Sequence, residues 1–483
     1  MQKNNNNTQV IITMKKFFSS LVFFVFLTNV SAQIEVNSSN QVGIGTTNPQ
    51  YKLHVVGDTY TTGNFYLGSK SSFLGTTGNV PVIFNVDNIL SGSTGTSSNT
   101  NVVFGYSAFY SGWGSKDTAI GHAALFSSLG NTENTAVGYS ALYSSTTGSY
   151  NTAIGHLSLY SNTVGGWNTA IGSYALYSNT GGWTNTATGY QALCFNTVGA
   201  SNTANGYQAL YSNTEGTSNT ATGYSALYSN TEGTSNTATG QAALKYNTTG
   251  TNNTANGYLA LHFNTTGSYN TAIGHEALNI NNGNYNTAIG TAAGNSSNMN
   301  NTTAIGYNAR ATASDQVRIG NSSVNSIGGC VAWSTISDGR AKKNIRANVP
   351  GLAFINSLQP VTYNLDLDAI DDLIKYEQPE ISDEDMPAHS LSQELINIER
   401  KSREAKERQV QTGFVAQDVE ETAKSLGYDF SGVDVDETGI YSLRYAEFVV
   451  PLVKAVQELS EQNSRMQERI NELNKKIELL EKE

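Results

Sequence analysis

A five-residue string that returns at a fixed interval constrains this chain more than any other feature. Asp117 to Gly121 reads DTAIG; the string recurs as NTAVG at Asn134, NTAIG at Asn151 and Asn168, NTATG at Asn185 and NTANG at Asn202, and runs on to NTAIG at Asn270 and Asn286. The interval is 17 residues from Asp117 through Asn270 and 16 to the next. A short fixed period makes each unit one coil of a solenoid, which buries its apolar face only by stacking on its neighbours. Residues 101–310 are expected to form this array.

Comparing the units column by column predicts their interior. Ala always stands two residues before the repeat Gly, from Ala119 to Ala288, and Leu four residues after it in every full unit, from Leu125 to Leu278. Small and large apolar columns alternating with polar ones fit a β-solenoid whose strands pair with the coils above and below. The Gly column supplies bends that a Cβ would obstruct, and Asn-Thr and Thr-Gly steps supply the other turns. About a dozen coils at about 4.8 Å give a rod of roughly 55–60 Å. A helical array is excluded by the density of Gly, Asn and Thr, all poor helix formers. The fold class is therefore mainly β, with a β-solenoid rod.

These units resemble the left-handed β-roll of trimeric autotransporter adhesin heads, whose repeats carry a similar Ala-Ile-Gly core. Upstream, in residues 33–100, VGIGTTNPQYKLHVVGD at Val42 to Asp58 is similar to a segment found near the start of bacterial fibre proteins, and is expected to cap the first coil's open edge. The column after the repeat Gly holds His122, Tyr139, His156, Tyr190, Tyr207, Tyr224, Tyr258 and His275. It reads either as an aromatic stripe for a glycan receptor or as a half-exposed repeat column without a ligand, and the second is favoured because exposed repeat columns need no ligand. No metal or other cofactor is expected. His122 and His156 lie two coils apart, about 10 Å, beyond one shared ion, and the calcium-binding GGxGxD repeat is absent.

Charge divides the chain. Its net charge is -11, which gives no footing for nucleic acid. Only 18 of the 65 charged residues precede residue 337, leaving 47 for the last 147 positions. Residues 311–336 read as a connector between two different materials.

Past the connector the sequence becomes STISDGRAKKNI, Ser334 to Ile345, followed by LQPVTYNL at Leu358, TGFVAQDVEE at Thr412 and YAEFVVPLVKAVQEL at Tyr445. In this order the blocks resemble the intramolecular chaperone domain of bacteriophage endosialidases and tail spikes, a small α+β domain that trimerises a fibre and then cuts itself off. The resemblance implies a domain over 337–451 in which Ser337 is the nucleophile and Lys342 the base. It puts the scissile bond between Ile336 and Ser337, with Asp338, Arg340 and Asn344 as structural supports. A Ser and a Lys five apart would not show this by spacing. Chemically, Ser needs an adjacent base, and Lys342 serves if folding strips its solvation. No His lies within 45 residues of Ser337. The chain departs from the pattern in an acidic insertion between Asp366 and Gln411, expected to be helical and to protrude without affecting the cut.

The chain ends in a heptad pattern over 452–483. Leu452, Val456, Leu459, Asn463, Met466, Ile470, Leu473, Ile477 and Leu480 alternate steps of four and three, the signature of a coiled coil. The heptad alone favours dimers; the trimer is implied by the resemblance. At the other end, MKKFFSSLVFFVFLTNVSAQ from Met14 reads as a signal peptide cleaved after Ala32, with Met14 as an alternative start to Met1. Its apolar run is too short for a bilayer span. Cys194 and Cys330 are expected to be unpaired thiols.

Three functions are carried forward. The leading one is a secreted or surface homotrimeric fibre with a cell-surface or glycan receptor, whose end domain works once as a serine endopeptidase. The second is a bacteriophage-derived tail fibre component, which the signal peptide disfavours. The third is a glycan-acting enzyme on a fibre scaffold. Glycosidases need two carboxylates about 5–10 Å apart, and residues 33–336 hold only nine Asp and Glu, scattered.

Overall fold

The computed structural model describes residues 34–36, 42–44, 53–55, 101–295, 298–330, 334–374 and 393–482. The chain divides into two units at residue 82. In the first, Ile34–Val36 pairs antiparallel with Val42–Ile44, which pairs in parallel with Leu53–Val55. The proposed signal peptide and most of the cap segment lie outside the described residues.

In the second unit, fourteen strands from Val102–Phe104 to Val317–Ile319 form one parallel sheet in coil order, apart from two short flanking strands. The register is strict, with Thr203 opposite Thr220 and Ala204 opposite Ala221. Thirteen intervals of about 4.8 Å make the sheet about 62 Å long. The Ala and Leu columns face inward and are fully buried from Ala119 and Leu125 to Ala288 and Leu261, forming one continuous apolar core. The solenoid expected from the period is therefore present, with more coils than estimated.

Each coil has only a three-residue strand in this sheet, fewer than the sequence suggested. The rest of the coil bonds to its neighbours by another route. In the coil after Asn202, Gly206 and Gln208 donate backward to Thr188 and Tyr190, while Leu210 and Thr214 donate forward to Ala226 and Thr231. Single residues in the left-handed region punctuate this strip. Gly206 has φ +143°, Gln208 +52° and Leu210 +52°, and the Leu column keeps φ between +48° and +53° in every coil. The reversals turn successive N–H groups toward both neighbours, and inter-coil bonding replaces the intrinsic preference of Leu for right-handed backbone.

Two Asn columns line the interior beside the apolar core. Asn202 donates its backbone N–H to Asn185 Oδ1 at 3.0 Å and its side-chain amide to Gly216 O at 2.8 Å. Asn213 donates to Asn196 Oδ1 at 2.8 Å and to Gly216 O at 3.0 Å, and accepts from Asn230. Both are fully buried. A polar group buried unpaired is costly, so each coil's amides fix the register of the next. The Asn of the Asn-Thr steps is thus an internal ladder, where the sequence suggested only a turn residue.

Beyond the rod lies a small α+β unit with its own core of Phe354, Val419, Ala423, Phe430 and Phe448. Its helices are α1 (Leu352–Ile355), α2 (Leu367–Leu373), α3 (Gln393–Glu407), α4 (Ala416–Ser425) and the 32-residue α5 (Val449–Leu480). Two antiparallel strand pairs complete it, Val361–Tyr363 with Gln411–Gly413 and Val433–Val435 with Tyr441–Leu443. No helix among the described residues is long and apolar enough to cross a membrane. Cys194 is buried, Cys330 is exposed, and both thiols are free.

Candidate functional site

The SDGRAKK stretch folds as a tight local turn. Asp338 caps the short 3-10 helix Gly339–Ala341, its Oδ1 accepting from the Arg340 backbone N–H at 2.9 Å. The Arg340 guanidinium closes back on the same carboxylate at 2.6 and 3.1 Å, and these bonds hold Asp338 below the usual carboxylate range. One turn of chain separates Ser337 from Lys342, and Lys342 Nζ donates to Ser337 Oγ at 2.8 Å. Asn344 follows at φ +56°, a conformation that Asn tolerates better than most residues. The structure therefore brings together Ser337 and Lys342, the two residues to which the resemblance assigns nucleophile and base. Asp338 and Arg340 form the turn that aligns them, and Asn344 turns the chain away.

The pair lies in the open. Residues 334–348 are all exposed, Ile336 at 91%. A lysine accepts a proton only in its neutral form, which burial favours. One copy of the chain gives Lys342 the contact to Ser337 without the desolvation expected of a working base.

The acidic insertion differs from its expected role. Its described part reaches the connector: Asp371 accepts from Ser322 Oγ at 2.8 Å, and Lys406 Nζ donates to Val324 O at 2.6 Å. Arg403 ties the two helices together, with Asp368 at 2.6 Å and Asp371 at 2.5 Å. Residues 375–392 lie outside the described residues. A Ser hydroxyl and a Val carbonyl in the connector carry no sequence signal for such contacts.

Along the rod, the aromatic column forms a ladder whose rings cover one another. Tyr106, His122, Tyr139 and His156 stack at centroid distances of 5.0–5.3 Å, and Tyr190, Tyr207 and Tyr224 at 5.0–5.3 Å. Within each run the ring faces that a sugar would need are taken by neighbouring rings, and the runs are broken at Ser173 and Gln241. Tyr139 stands between His122 and His156, which keeps these imidazoles off a common ion. A second ladder, Tyr110, Phe126, Tyr143, Tyr160 and Tyr177, repeats the arrangement five residues after the Gly. The seam of α5 is exposed, with Val456 at 64% and Ile477 at 51%. Comparison with known proteins returns no matching family model, curated protein or solved structure.

Proposed function

We propose that this chain is a secreted fibre protein whose C-terminal unit assembles three copies and then cuts itself off between Ile336 and Ser337. The observation that carries this reading is the 2.8 Å hydrogen bond from Lys342 Nζ to Ser337 Oγ inside the SDGRAKK turn. Further support comes from the exposed heptad seam of α5, which as a lone helix leaves Leu452, Val456, Leu459 and Ile470 in water. Export rests on the Met14 signal sequence, and a receptor remains part of the proposal without an assigned surface.

The chemistry balances with water as the only co-reactant. Neutral Lys342 takes the Ser337 hydroxyl proton as Oγ attacks the Ile336 carbonyl carbon. The bond from that carbon to the Ser337 nitrogen breaks, and the nitrogen leaves as an amine after receiving the proton. The resulting Ile336 ester on Ser337 Oγ is hydrolysed, freeing a carboxylate at Ile336 and a new amino terminus at Ser337. Each chain performs this once.

Full-length protein is expected to yield a fragment of 147 residues, Ser337 to Glu483, beginning with Ser on amino-terminal sequencing. Ser337→Ala should remain whole, and Lys342→Ala should slow cutting by about a hundredfold or more. An uncut wild-type band on a denaturing gel rejects the reading.

A further inference from the structure

The arm that carries Ser337 and Lys342 is exposed along its length among the described residues. Over residues 334–348 its side-chain hydrogen bonds among the described residues all close within the arm. Ile345 is 77% exposed, and Lys343 and Arg346 form no ion pair among the described residues. An apolar side chain and two unspent cations thus sit together in solvent, a combination that suits a docking strand.

A complementary surface exists on the same unit. Beside α4 a groove of about 410 Å³ has a floor of Leu358, Phe414, Val415 and Val419 and a wall of Asp418 and Glu421. Neither carboxylate forms an ion pair among the described residues. Groove and arm are opposite in charge, and each carries apolar side chains.

In a single chain the arm is exposed throughout residues 334–348 and none of its residues lines the groove. Leu352 N donates to Glu458 Oε2 of α5 at 2.8 Å, and a Cβ on Gly351 would meet Ala455 N at 2.7 Å, so the chain leaves directly from the assembly helix. In a packed bundle the next helix axis is about 8–10 Å away. An extended arm of fifteen residues spans up to about 50 Å.

We infer that in the assembled protein each arm docks in the acidic groove of a second copy, with Ile345 on the floor and Lys343 and Arg346 against Asp418 and Glu421. Docking takes Lys342 out of water, so that cutting follows assembly. Asp418 and Glu421 are then positioning residues. This inference rests on the cleavage reading for its consequence, and its test is built to separate the two.

In full-length protein, Asp418→Lys with Glu421→Lys is expected to slow cutting about tenfold, the scale of two exposed ion pairs, while sedimentation still reports the assembled mass. Adding Lys343→Glu and Arg346→Glu to the same chain should restore cutting, a rescue that general damage to the fold would not give. The decisive arm mixes two chains. One carries the reversed groove and an intact arm; the other carries Ser337→Ala, an intact groove and a size tag. Docking between copies predicts that the first chain, slow alone, is cut at normal rate in mixed assemblies. If it stays slow, docking between copies is overturned. Trypsin sensitivity at Lys343 and Arg346 in the Ser337→Ala assembly reads docking without cleavage. Protection lost on groove reversal upholds docking even where wild type is never cut, and equal sensitivity with both grooves rejects it.

Discussion

Asp117 stands in a column that Asn fills in the preceding coil, at Asn101, and from Asn134 to Asn286 beyond it, and it is buried to 1% exposure. Its Oδ1 accepts from Asn134 N at 2.8 Å, as an Asn would, but Oδ2 has no hydrogen-bond partner and lies near Asn131 O at the Gly114 turn. Burial pushes this carboxyl up to about 6 from 3.8. A raised carboxyl pKa means that the folded chain holds the proton more tightly than the unfolded one. The stability of the first coils is therefore greatest below pH 4 and falls as pH rises through 6, by roughly 3 kcal/mol at full ionisation. Asp117→Asn should remove that dependence and stabilise the coil by about 2 kcal/mol at pH 7, because an amide donates where the carboxylate oxygen cannot. Hydrogen exchange of the first coils at pH 4.5 and 7.5 checks both; an unchanged pH profile in the variant counts against it.

At the scale of the coil, two substitutions separate the devices that hold neighbours in register. At Gly206 a Cβ would stand 2.4 Å from Gly223 O on a backbone with φ +143°, so Gly206→Ala is expected to cost about 3 kcal/mol or more through backbone displacement. Asn213→Ala removes two donated bonds and one accepted bond, costing about 3 kcal/mol through stranded buried partners. Asn213→Asp should be worse than Ala at neutral pH, since a buried carboxylate cannot donate to Gly216 O; denaturant midpoints of the three variants give the order. The period, the Ala and Leu columns and the need for Gly were all legible in the sequence because each is a strict repeat. The left-handed Leu210 and the Asn213 ladder were not, since Leu carries no preference for that backbone and Asn reads equally as a turn residue. The near-constancy of the Asn columns, broken only near the ends of the array, was the available signal. The resemblance paired Ser337 with Lys342, while their exposure belongs to the folded chain alone.

At the scale of the molecule, the rod changes what an assembly domain has to do. Its hydrogen bonds join residues mostly 14–17 apart, so each coil closes a short loop and the array grows by nearest-neighbour steps. Within one chain there is therefore little slow, long-range pairing for a trimerising end to relieve. What remains is alignment between chains. The outward strand positions are apolar near the two ends, as at Ile154, Ile171, Ile273 and Ile289, and polar between them, at Thr188, Asn205, Thr222, Thr239 and Asn256. Identical coils offer many near-equivalent registers when copies meet side by side. On the proposed assembly a single anchored end removes that ambiguity, because α5 would fix all chains at one height before the rods touch. A chain ending at Ile336 is therefore expected to retain the β-solenoid circular dichroism of the full protein but to sediment as a mixture of masses. Full-length protein with Ile470→Asp and Leu473→Asp in the α5 seam should behave the same way and remain uncut. If the truncated chain unfolds instead, the end domain is needed for the coils themselves and not only for their alignment.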